Sequence, residues 1–270
     1  MLKPPMPASN MIELRDVTFA YVPGRFIYKR CNWTAGQGET WAVIGASGGG
    51  KTTLLMMLAG LLQPTAGQII IGDQVITRPR PRTGLVLQEY GLLPWATVAE
   101  NAALGLQLRN YYGPDGRHVP SDYAAGPVRE RVDFWLTRLG IIAIRERYPA
   151  QISGGQRQRA AIARTLVLEP DVLLMDEPFA ALDAPTREDL LNLTVELQRE
   201  QNLTLVLVTH NIEDAVFLGQ KIMILGTPPH TTPEIITNPG AGDPGYRSKS
   251  TFFELCASVR QHITANQTVL

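Results

Sequence analysis

A glycine-rich stretch between two apolar segments constrains this chain more than any other feature. Its residues, Gly45-Ala46-Ser47-Gly48-Gly49-Gly50-Lys51-Thr52, fit the pattern G-x-x-x-x-G-K-[ST] and lie between a strand-like run, Thr40 to Ile44, and a helix-like run, Thr53 to Leu61. Glycines let the backbone curl so that successive N–H groups point inward, and the N-terminus of the following helix adds partial positive charge. The stretch therefore predicts a loop that binds the phosphates of a nucleoside triphosphate.

The groups of this phosphate loop have separate expected roles. Lys51 would reach the β- and γ-phosphates, and the Thr52 hydroxyl would bind Mg²⁺. The remaining predicted contacts come from the backbone of the loop and the start of the helix, at Gly45, Ser47, Gly48, Gly50 and Thr53. A plain glycine turn between core elements is the alternative, and it is disfavoured because a chance match with the required flanks is improbable in this composition.

Length, charge and cysteine content exclude several classes of protein. The 270 residues suit one large domain or two intimate ones, and 44% hydrophobic residues are enough for a sizeable core. Basic and acidic residues balance at 25 each, so no broad basic surface predicts a nucleic-acid partner. Met1 to Asn10 lacks the apolar segment of a secretory signal, no apolar run reaches the roughly 18 residues that span a bilayer, and Cys31 and Cys256 form no metal or disulfide pattern. We therefore expect a chain of the reducing cytoplasm.

Strand patterns frame a block of helix patterns. Met11 to Tyr21 and Arg25 to Trp33 predict an antiparallel hairpin around the turn Pro23-Gly24. Further strands are predicted at Gly67 to Ile71, Thr83 to Gln88, Val172 to Met175 and Leu203 to Val208. Apart from Thr204 the last two are continuous apolar runs, which are typical of parallel strands buried on both faces. Helix-period apolar residues occupy Val98 to Arg109, Val128 to Leu139, Gln156 to Leu168 and Arg187 to Glu200.

The two ends of the chain carry weaker signals. Residues 1–10 are predicted to be disordered, and Gly226 to Tyr246, rich in Pro, Gly and Thr, predicts a loop or linker. An amphipathic helix follows, and its apolar stripe consists of Phe252, Leu255, Cys256, Val259 and Ile263. Docking of this stripe on its own domain is favoured over a partner interface.

Two adjacent acids end the apolar run at Val172 to Met175. Open α/β sheets bind ligands at the carboxyl ends of their strands, which is where Asp176 and Glu177 are expected to lie. Asp176 would hold the Mg²⁺ shell, and Glu177 would polarise the water that attacks the phosphate. The alternative is a pair of helix-capping surface residues, which the phosphate loop upstream makes less favourable.

A second glycine-containing segment, Ser153-Gly154-Gly155-Gln156, precedes a helix rich in Arg and Ala. Its S-x-x-Q spacing predicts a capping box, in which Ser153 and Gln156 each bond the other's backbone N–H. A cap does not need two glycines, whereas a backbone surface that approaches phosphate closely does. Capping and phosphate binding are both compatible with this segment.

The order of these motifs resembles that of the ATP-binding-cassette (ABC) ATPases over essentially Met11 to Gly226. The resemblance implies that Tyr21 stacks on adenine, that Gln88 senses Mg²⁺ and the transport subunit, and that Ile152 to Gln156 is the family's LSGGQ motif. It further implies that Asp183 is the D-loop aspartate and that His210 contacts the γ-phosphate as the switch histidine. Without the resemblance, Tyr21 would be a strand-edge aromatic, and Gln88 and His210 would be structural residues.

The chain departs from the family pattern at a few positions. Ile152 replaces leucine, Thr52 replaces the commoner serine, and Asn211 follows the histidine where aspartate is frequent. Ala180 stands where many relatives have serine, which puts one cross-dimer hydrogen bond in doubt. Between Asn110 and Pro127 a loop of the helical block is longer than expected, for which a tolerated surface insertion is favoured over contact with a membrane partner.

Two segments narrow the resemblance to one branch of the family. The sequence from Tyr90 to Asn101, with its Leu-Leu-Pro-Trp-x-Thr-Val stretch, resembles ATPases that serve nitrate, sulfonate and taurine importers, and Thr209 to Leu218 does so too. Because the sequence ends soon after the cassette, we also expect no large C-terminal regulatory domain of the kind found in sugar-importer ATPases. A small anionic solute is therefore the expected cargo.

These patterns and the resemblance together predict an α/β fold: a P-loop NTPase core with a mixed, mainly parallel sheet, an N-terminal antiparallel β subdomain and an inserted helical subdomain. The ATPase domain would span residues 11–226, with the helical subdomain at about 90–168 and a C-terminal linker and helix at 227–270. The chain would bind ATP and Mg²⁺ and form a head-to-tail dimer with a second ATPase subunit. Its other partners would be permease subunits and, indirectly, an extracytoplasmic solute-binding protein, at the cytoplasmic face of the inner membrane. The alternatives are a non-transport ABC ATPase, acting in assembly or on nucleic acid, and an exporter subunit.

Overall fold

The computed structural model of the chain describes residues 10–267, which form a mixed α/β fold with an antiparallel sheet and a mainly parallel one. The strands are β1 (Asn10–Val22), β2 (Arg25–Gly36), β3 (Thr40–Gly45), β4 (Ala66–Ile71), β5 (Gln74–Val75), β6 (Thr83–Val86), β7 (Val172–Asp176), β8 (Thr204–Val208), β9 (Lys221–Leu225) and β10 (Glu234–Thr237). The helices are α1 (Lys51–Leu58), α2 (Val98–Tyr112), α3 (Val128–Arg138), α4 (Gly154–Leu166), α5 (Ala184–Gln201), α6 (Ile212–Leu218) and α7 (Ser250–Gln267). The predicted fold class is confirmed.

The chain divides into two compact units. One joins the described residues up to Pro79 with those from Leu197 onward, and we call it the discontinuous unit. The other, Arg80–Glu196, is the central unit. The predicted disorder of residues 1–9 lies outside the described residues, and Asn10 already belongs to β1. Among residues 10–267, no helix has the length and apolar character needed to cross a bilayer.

The predicted hairpin at the start of the discontinuous unit is confirmed. β1 and β2 run antiparallel and join at the pair Val22↔Arg25, around the turn at Pro23-Gly24. β4 pairs with the other edge of β1, and β5 extends β4. Alternate residues of β1, among them Ile12 and Leu14, are buried, so this sheet packs one face onto the core.

Parallel pairing in each unit follows the apolar runs of the sequence. In the discontinuous unit β3 pairs parallel with both β8 and β9, and in the central unit β6 pairs parallel with β7. Every residue of β7 and of β8 is buried, as expected of strands covered on both faces. The helices α2 and α3 pack on α4 in the central unit, which confirms the predicted helical block.

The segment from Gly226 to Tyr246 contains a strand that the sequence did not predict. β10 pairs antiparallel with β9, from Glu234↔Ile224 to Thr237↔Lys221. Only four residues form it, flanked by Pro and Gly, and the partner strand rather than local pattern stabilises it. The predicted docking of the last helix is confirmed, because α7 packs on α6 and β9 and buries Phe252, Cys256 and Val259.

The predicted insertion between Asn110 and Pro127 begins inside a helix. α2 extends to Tyr112, and Gly113 is its C-cap. Asp115 then accepts hydrogen bonds from the backbone N–H groups of the next turn, and the His118 ring stacks on Tyr112 at 4.3 Å between centroids. The insertion is therefore held by its own side chains, while Tyr111 is 82% exposed.

Candidate active site

The phosphate loop connects β3 to α1 and is shaped by glycines at both ends. Gly45 has φ 156°, and a Cβ there would lie 2.0 Å from the Leu225 carbonyl oxygen, so no other residue fits. Gly50, the N-cap of α1, is left-handed with φ 90° and ψ 7°. A hydrogen bond of 3.1 Å from Gly49 N to Ala46 O closes the turn between them.

The start of α1 is electropositive and has no side-chain cap. The Lys51 Nζ donates to the carbonyl oxygens of Gly45 and Ala46, at 2.9 and 2.8 Å, which holds the ammonium over the loop. Thr52 is exposed and Thr53 is buried. An anion placed against this helix start would meet backbone N–H groups, the ammonium and a hydroxyl together.

Tyr21 lies beside the phosphate-loop helix. Its hydroxyl is 3.1 Å from the Thr53 Oγ1, and its ring packs edge-on against Phe19 with centroids 4.9 Å apart. The Tyr21 side chain is nevertheless 63% exposed. A fixed aromatic ring with an exposed face provides the surface on which a base can stack.

His210 lies at the same sheet edge as the phosphate loop. It follows β8, which runs parallel to β3, and Thr209 N donates to Val43 O at 3.2 Å. The carboxyl ends of the two strands therefore place His210 and Gly45 at one edge. Asn211 caps α6 by accepting from Asp214 N at 3.0 Å, so the departure from aspartate keeps the cap.

In the central unit, the two predicted acids follow β7 directly. Asp176 is the buried last residue of that strand, and Glu177 has φ 46°, in the left-handed region that few non-glycine residues occupy. Strained backbone of this kind is concentrated at functional sites. Gln88 follows β6, the parallel neighbour of β7, so Gln88 and Asp176 lie at one edge of this strand pair.

The residues predicted to bind Mg²⁺ have suitable donor chemistry. Thr52 offers a hydroxyl oxygen, Gln88 an amide carbonyl and Asp176 a carboxylate, and oxygen ligands of this kind are the ones Mg²⁺ prefers. The donor set therefore fits the ion.

The segment Ser153–Gln156 forms the predicted capping box. Ser153 Oγ accepts from Gln156 N at 3.3 Å, and Gln156 Oε1 accepts from Ser153 N at 3.0 Å. A Cβ on Gly155 would lie 2.4 Å from Thr186 Cγ2, whereas a Cβ on Gly154 would meet nothing closer than 3.7 Å. Packing among the described residues thus requires glycine at Gly155 but not at Gly154.

Asp183 acts locally as a cap for α5. It accepts from Thr186 N and Thr186 Oγ1, both at 3.0 Å, and these hydrogen bonds lower the pKa of its carboxyl group. Thr186 also faces Gly155, so the structure brings the Asp183 and Ser153–Gln156 segments together.

Sequence reasoning missed the arginines that anchor the turn after Gln88. Arg164 of α4 donates to the carbonyl oxygens of Gly91 and Tyr90, at 2.6 and 3.0 Å, and the Arg157 guanidinium lies over the Tyr90 ring at 5.8 Å. The same helix begins with Gly154, so α4 links this turn to the Ser153–Gln156 segment. The signal in the sequence was the spacing of Arg157 and Arg164, seven residues apart on one helix. Their targets could not be identified from it, because they lie about 70 residues away in sequence.

Known proteins match the chain over most of its length. The pattern of the family described as ABC transporter matches residues 28–180. The nitrate import ATP-binding protein NrtD of Synechocystis sp. is 37% identical over 238 residues, 86% of this chain and 84% of that protein. The aliphatic sulfonates import ATP-binding protein SsuB of Bacillus cereus is 37% identical over 212 residues, 78% of each. Among solved structures, a dimeric post-hydrolysis state of the ATP-binding cassette MJ0796 bound to ADP and Pi has a TM-score of 0.68 and 32% identity, covering 80% of this chain and 94% of that one.

Proposed function

Because the chain belongs to the ABC transporter family of ATP-hydrolysing cassettes, we propose that it is the ATPase subunit of an importer for a small anionic solute. The family assignment supplies ATP binding and hydrolysis. The dimeric assembly is proposed from Gly154 at the start of α4. A Cβ there would meet no described atom closer than 3.7 Å, so packing within the chain does not require a glycine at this position.

Each predicted site residue has a role in this proposal. Tyr21 stacks on adenine, while Lys51 and the N–H groups of the phosphate loop hold the phosphates. Thr52, Gln88 and Asp176 would hold Mg²⁺, which would neutralise charge on the phosphates. Glu177 accepts a proton from the attacking water, and His210 contacts the γ-phosphate.

We propose that the site is completed by a second copy of the chain, or by a homologue, facing it head to tail. The Ser153–Gln156 segment and Asp183 of one copy would then close over the phosphate loop of the other. The dimeric state of the cassette bound to ADP and Pi supports the formation of a dimer. The arrangement is further supported at Gly154, where a Cβ would meet no described atom closer than 3.7 Å. ATP would favour the closed dimer through contacts that the open form lacks.

Coupling to permease subunits is proposed at the segment before α2. The buried Asn101 side chain bonds the backbone of Leu93, Ala96 and Thr97, which fixes this segment, while Trp95 is 74% exposed. A rigid segment that presents an exposed aromatic ring is suited to a protein contact. The chain would thus work at the cytoplasmic face of the inner membrane, with an extracytoplasmic solute-binding protein as an indirect partner.

The anionic cargo is proposed from two relatives that are named as ATP-binding proteins of nitrate import and of aliphatic sulfonates import. To test it, the tagged chain would be purified from solubilised native membranes with its permease subunits and reconstituted in liposomes with the solute-binding protein. ATP-dependent uptake of nitrate or taurine, absent with Glu177→Gln, would support the proposal. Purification without any membrane subunit would instead favour a non-transport ATPase, and ATP-driven efflux would favour an exporter.

A further inference from the structure

Two buried side chains from outside the phosphate loop donate hydrogen bonds to its backbone. The Tyr28 hydroxyl on β2 donates to the Gly50 carbonyl oxygen at 2.9 Å, and the same oxygen accepts from Leu54 N of α1 at 2.9 Å. The His230 Nε2, in the segment between β9 and β10, lies 2.7 Å from the Gly49 carbonyl oxygen. Tyr28 is 1% exposed and His230 is 7% exposed, so water does not compete for these carbonyl groups.

The backbone places these two side chains next to each other. His230 N donates to Ile27 O and Lys29 N donates to His230 O, both at 2.9 Å, so His230 is bridged to β2 on either side of Tyr28. The two rings lie 5.4 Å apart between centroids. Neither residue belongs to a motif identified in the sequence, and 202 positions separate them along the chain.

Both groups are hydrogen-bond donors in their buried state. Burial raises the pKa of the Tyr28 phenol, which therefore keeps its proton at neutral pH. Burial lowers the pKa of His230, which keeps the imidazole neutral. Since a carbonyl oxygen can only accept, the proton of the neutral ring lies on Nε2.

The planarity of the peptide bond transmits these contacts to the phosphate side of the loop. In a trans peptide the C=O and the following N–H point in opposite directions. Fixing the carbonyl groups of Gly49 and Gly50 therefore fixes the N–H groups of Gly50 and Lys51, pointing away from Tyr28 and His230. Glycine offers little resistance to rotation of its peptide planes, so an external restraint helps the loop to keep one orientation. His230 supplies that restraint at the Gly49 carbonyl, and at Gly50 Tyr28 reinforces the hydrogen bond from Leu54 N.

We propose that Tyr28 and His230 are positioning residues that clamp two consecutive peptides of the phosphate loop, so that the N–H groups of Gly50 and Lys51 are pre-oriented for the phosphates of ATP. The proposal rests on the proposed role of this loop in binding ATP. The clamp raises nucleotide affinity because the N–H groups are oriented before ATP binds, so that binding does not have to supply the free energy of orienting them.

The test measures the affinity of the full chain for a fluorescent N-methylanthraniloyl ATP. Tyr28→Phe removes one oxygen atom, and His230→Met replaces the donor ring with an unbranched, flexible apolar side chain. Each is expected to weaken binding about 3- to 10-fold, the effect of losing one hydrogen bond. His230→Gln, which can still donate to the Gly49 carbonyl, is expected to bind within about 2-fold of the unmodified chain.

A matched control is Tyr246→Phe, a buried tyrosine of the same unit whose ring contacts Phe252 rather than the loop. Its affinity should be unchanged. Thermal unfolding without nucleotide reports folding separately, because a merely structural role for Tyr28 or His230 would lower the unfolding temperature and leave the affinity of the folded protein intact.

Lys51→Ala separates failure of the clamp from failure of the loop's proposed role. If Lys51→Ala loses binding while Tyr28→Phe and His230→Met bind like the unmodified chain, the clamp is overturned and the role of the loop stands. If His230→Gln is as weak as His230→Met, the donor role of His230 is overturned. If Lys51→Ala itself binds normally, the role of the loop fails and the clamp fails with it.

Discussion

Two helices of this protein begin at glycine-rich segments, and they satisfy their first turns in opposite ways. The N-cap of α1 is Gly50, a left-handed glycine, and this helix has no side-chain cap. The N-cap of α4 is Ser153, whose side chain and that of Gln156 complete a capping box. The first helix start takes its shape from glycines and from donors elsewhere in the chain, Tyr28 and His230, whereas the second is satisfied by its own side chains.

This difference indicates what each segment needs in order to function. The phosphate loop keeps N–H groups of α1 out of any side-chain cap, which suits a segment that binds phosphate directly. The start of α4 is stable without a ligand, so its glycines must serve something other than helix initiation. Gly155 serves packing against Thr186, whereas a Cβ on Gly154 would meet nothing closer than 3.7 Å. The proposed close approach of a second molecule would account for glycine at Gly154.

The largest expected effect comes from a residue of neither segment. Glu177→Gln removes the proposed general base and should lower the rate of ATP hydrolysis about 10²- to 10⁴-fold. ATP affinity should be retained, because both helix starts remain intact. Steady-state phosphate release and equilibrium nucleotide binding measure the two effects.

The matched control for this substitution is Glu130→Gln, which changes an exposed glutamate in the first turn of α3. It should hydrolyse ATP at the unmodified rate. If Glu177→Gln hydrolyses ATP at that same rate, Glu177 is not the general base. The proposed roles of the two helix starts in binding ATP would then remain.

The two glycines of α4 should respond in opposite ways to the same added methyl group. Gly155→Ala places a Cβ against Thr186 Cγ2 and should destabilise the fold by about 1–3 kcal/mol. Gly154→Ala should leave stability equal or higher by about 0.5–1 kcal/mol, since alanine favours the helix, but should lower ATP-driven dimerisation. Denaturant unfolding and size-exclusion chromatography with ATP measure these properties. Equal stability losses for both variants would remove the distinction.

The capping box offers a smaller test, because α2 begins with a similar box at Thr97 and Glu100. Ser153→Ala and Thr97→Ala should each reduce stability by about 1 kcal/mol. Only Ser153→Ala should also reduce ATP hydrolysis at a temperature where both variants are folded. If Thr97→Ala reduces hydrolysis equally, the cap at Ser153 has no role beyond starting its helix.

Local patterns in the sequence account for much of the fold. The hairpin of β1 and β2, the buried runs of β7 and β8 and the capping box at Ser153 were predicted, because each depends on residues that are close in sequence. The phosphate loop was predictable for the same reason, since its pattern is contiguous.

Several features that the sequence did not predict depend on contacts between distant segments. β10 forms because β9 supplies its partner, although Pro and Gly residues around Glu234–Thr237 indicate a loop. The two donors beneath the phosphate loop come together only when His230 bridges to β2. The same holds for Arg164, which bonds Tyr90 and Gly91 from another helix.

In the proposed dimer, the phosphate loop of one copy and the Ser153–Gln156 segment of the other together form one ATP site, which neither copy forms alone. The test mixes two double variants, one with Glu177→Gln and Lys51→Ala and the other with Glu177→Gln and Gly154→Asp. A mixed dimer then pairs one intact phosphate loop with one intact Ser153–Gln156 segment. Size-exclusion chromatography with nucleotide quantification should find each variant monomeric alone and the mixture dimeric, with one ATP retained per dimer. A mixture that stays monomeric, or a Gly154→Asp copy that dimerises alone with ATP, would contradict the claim.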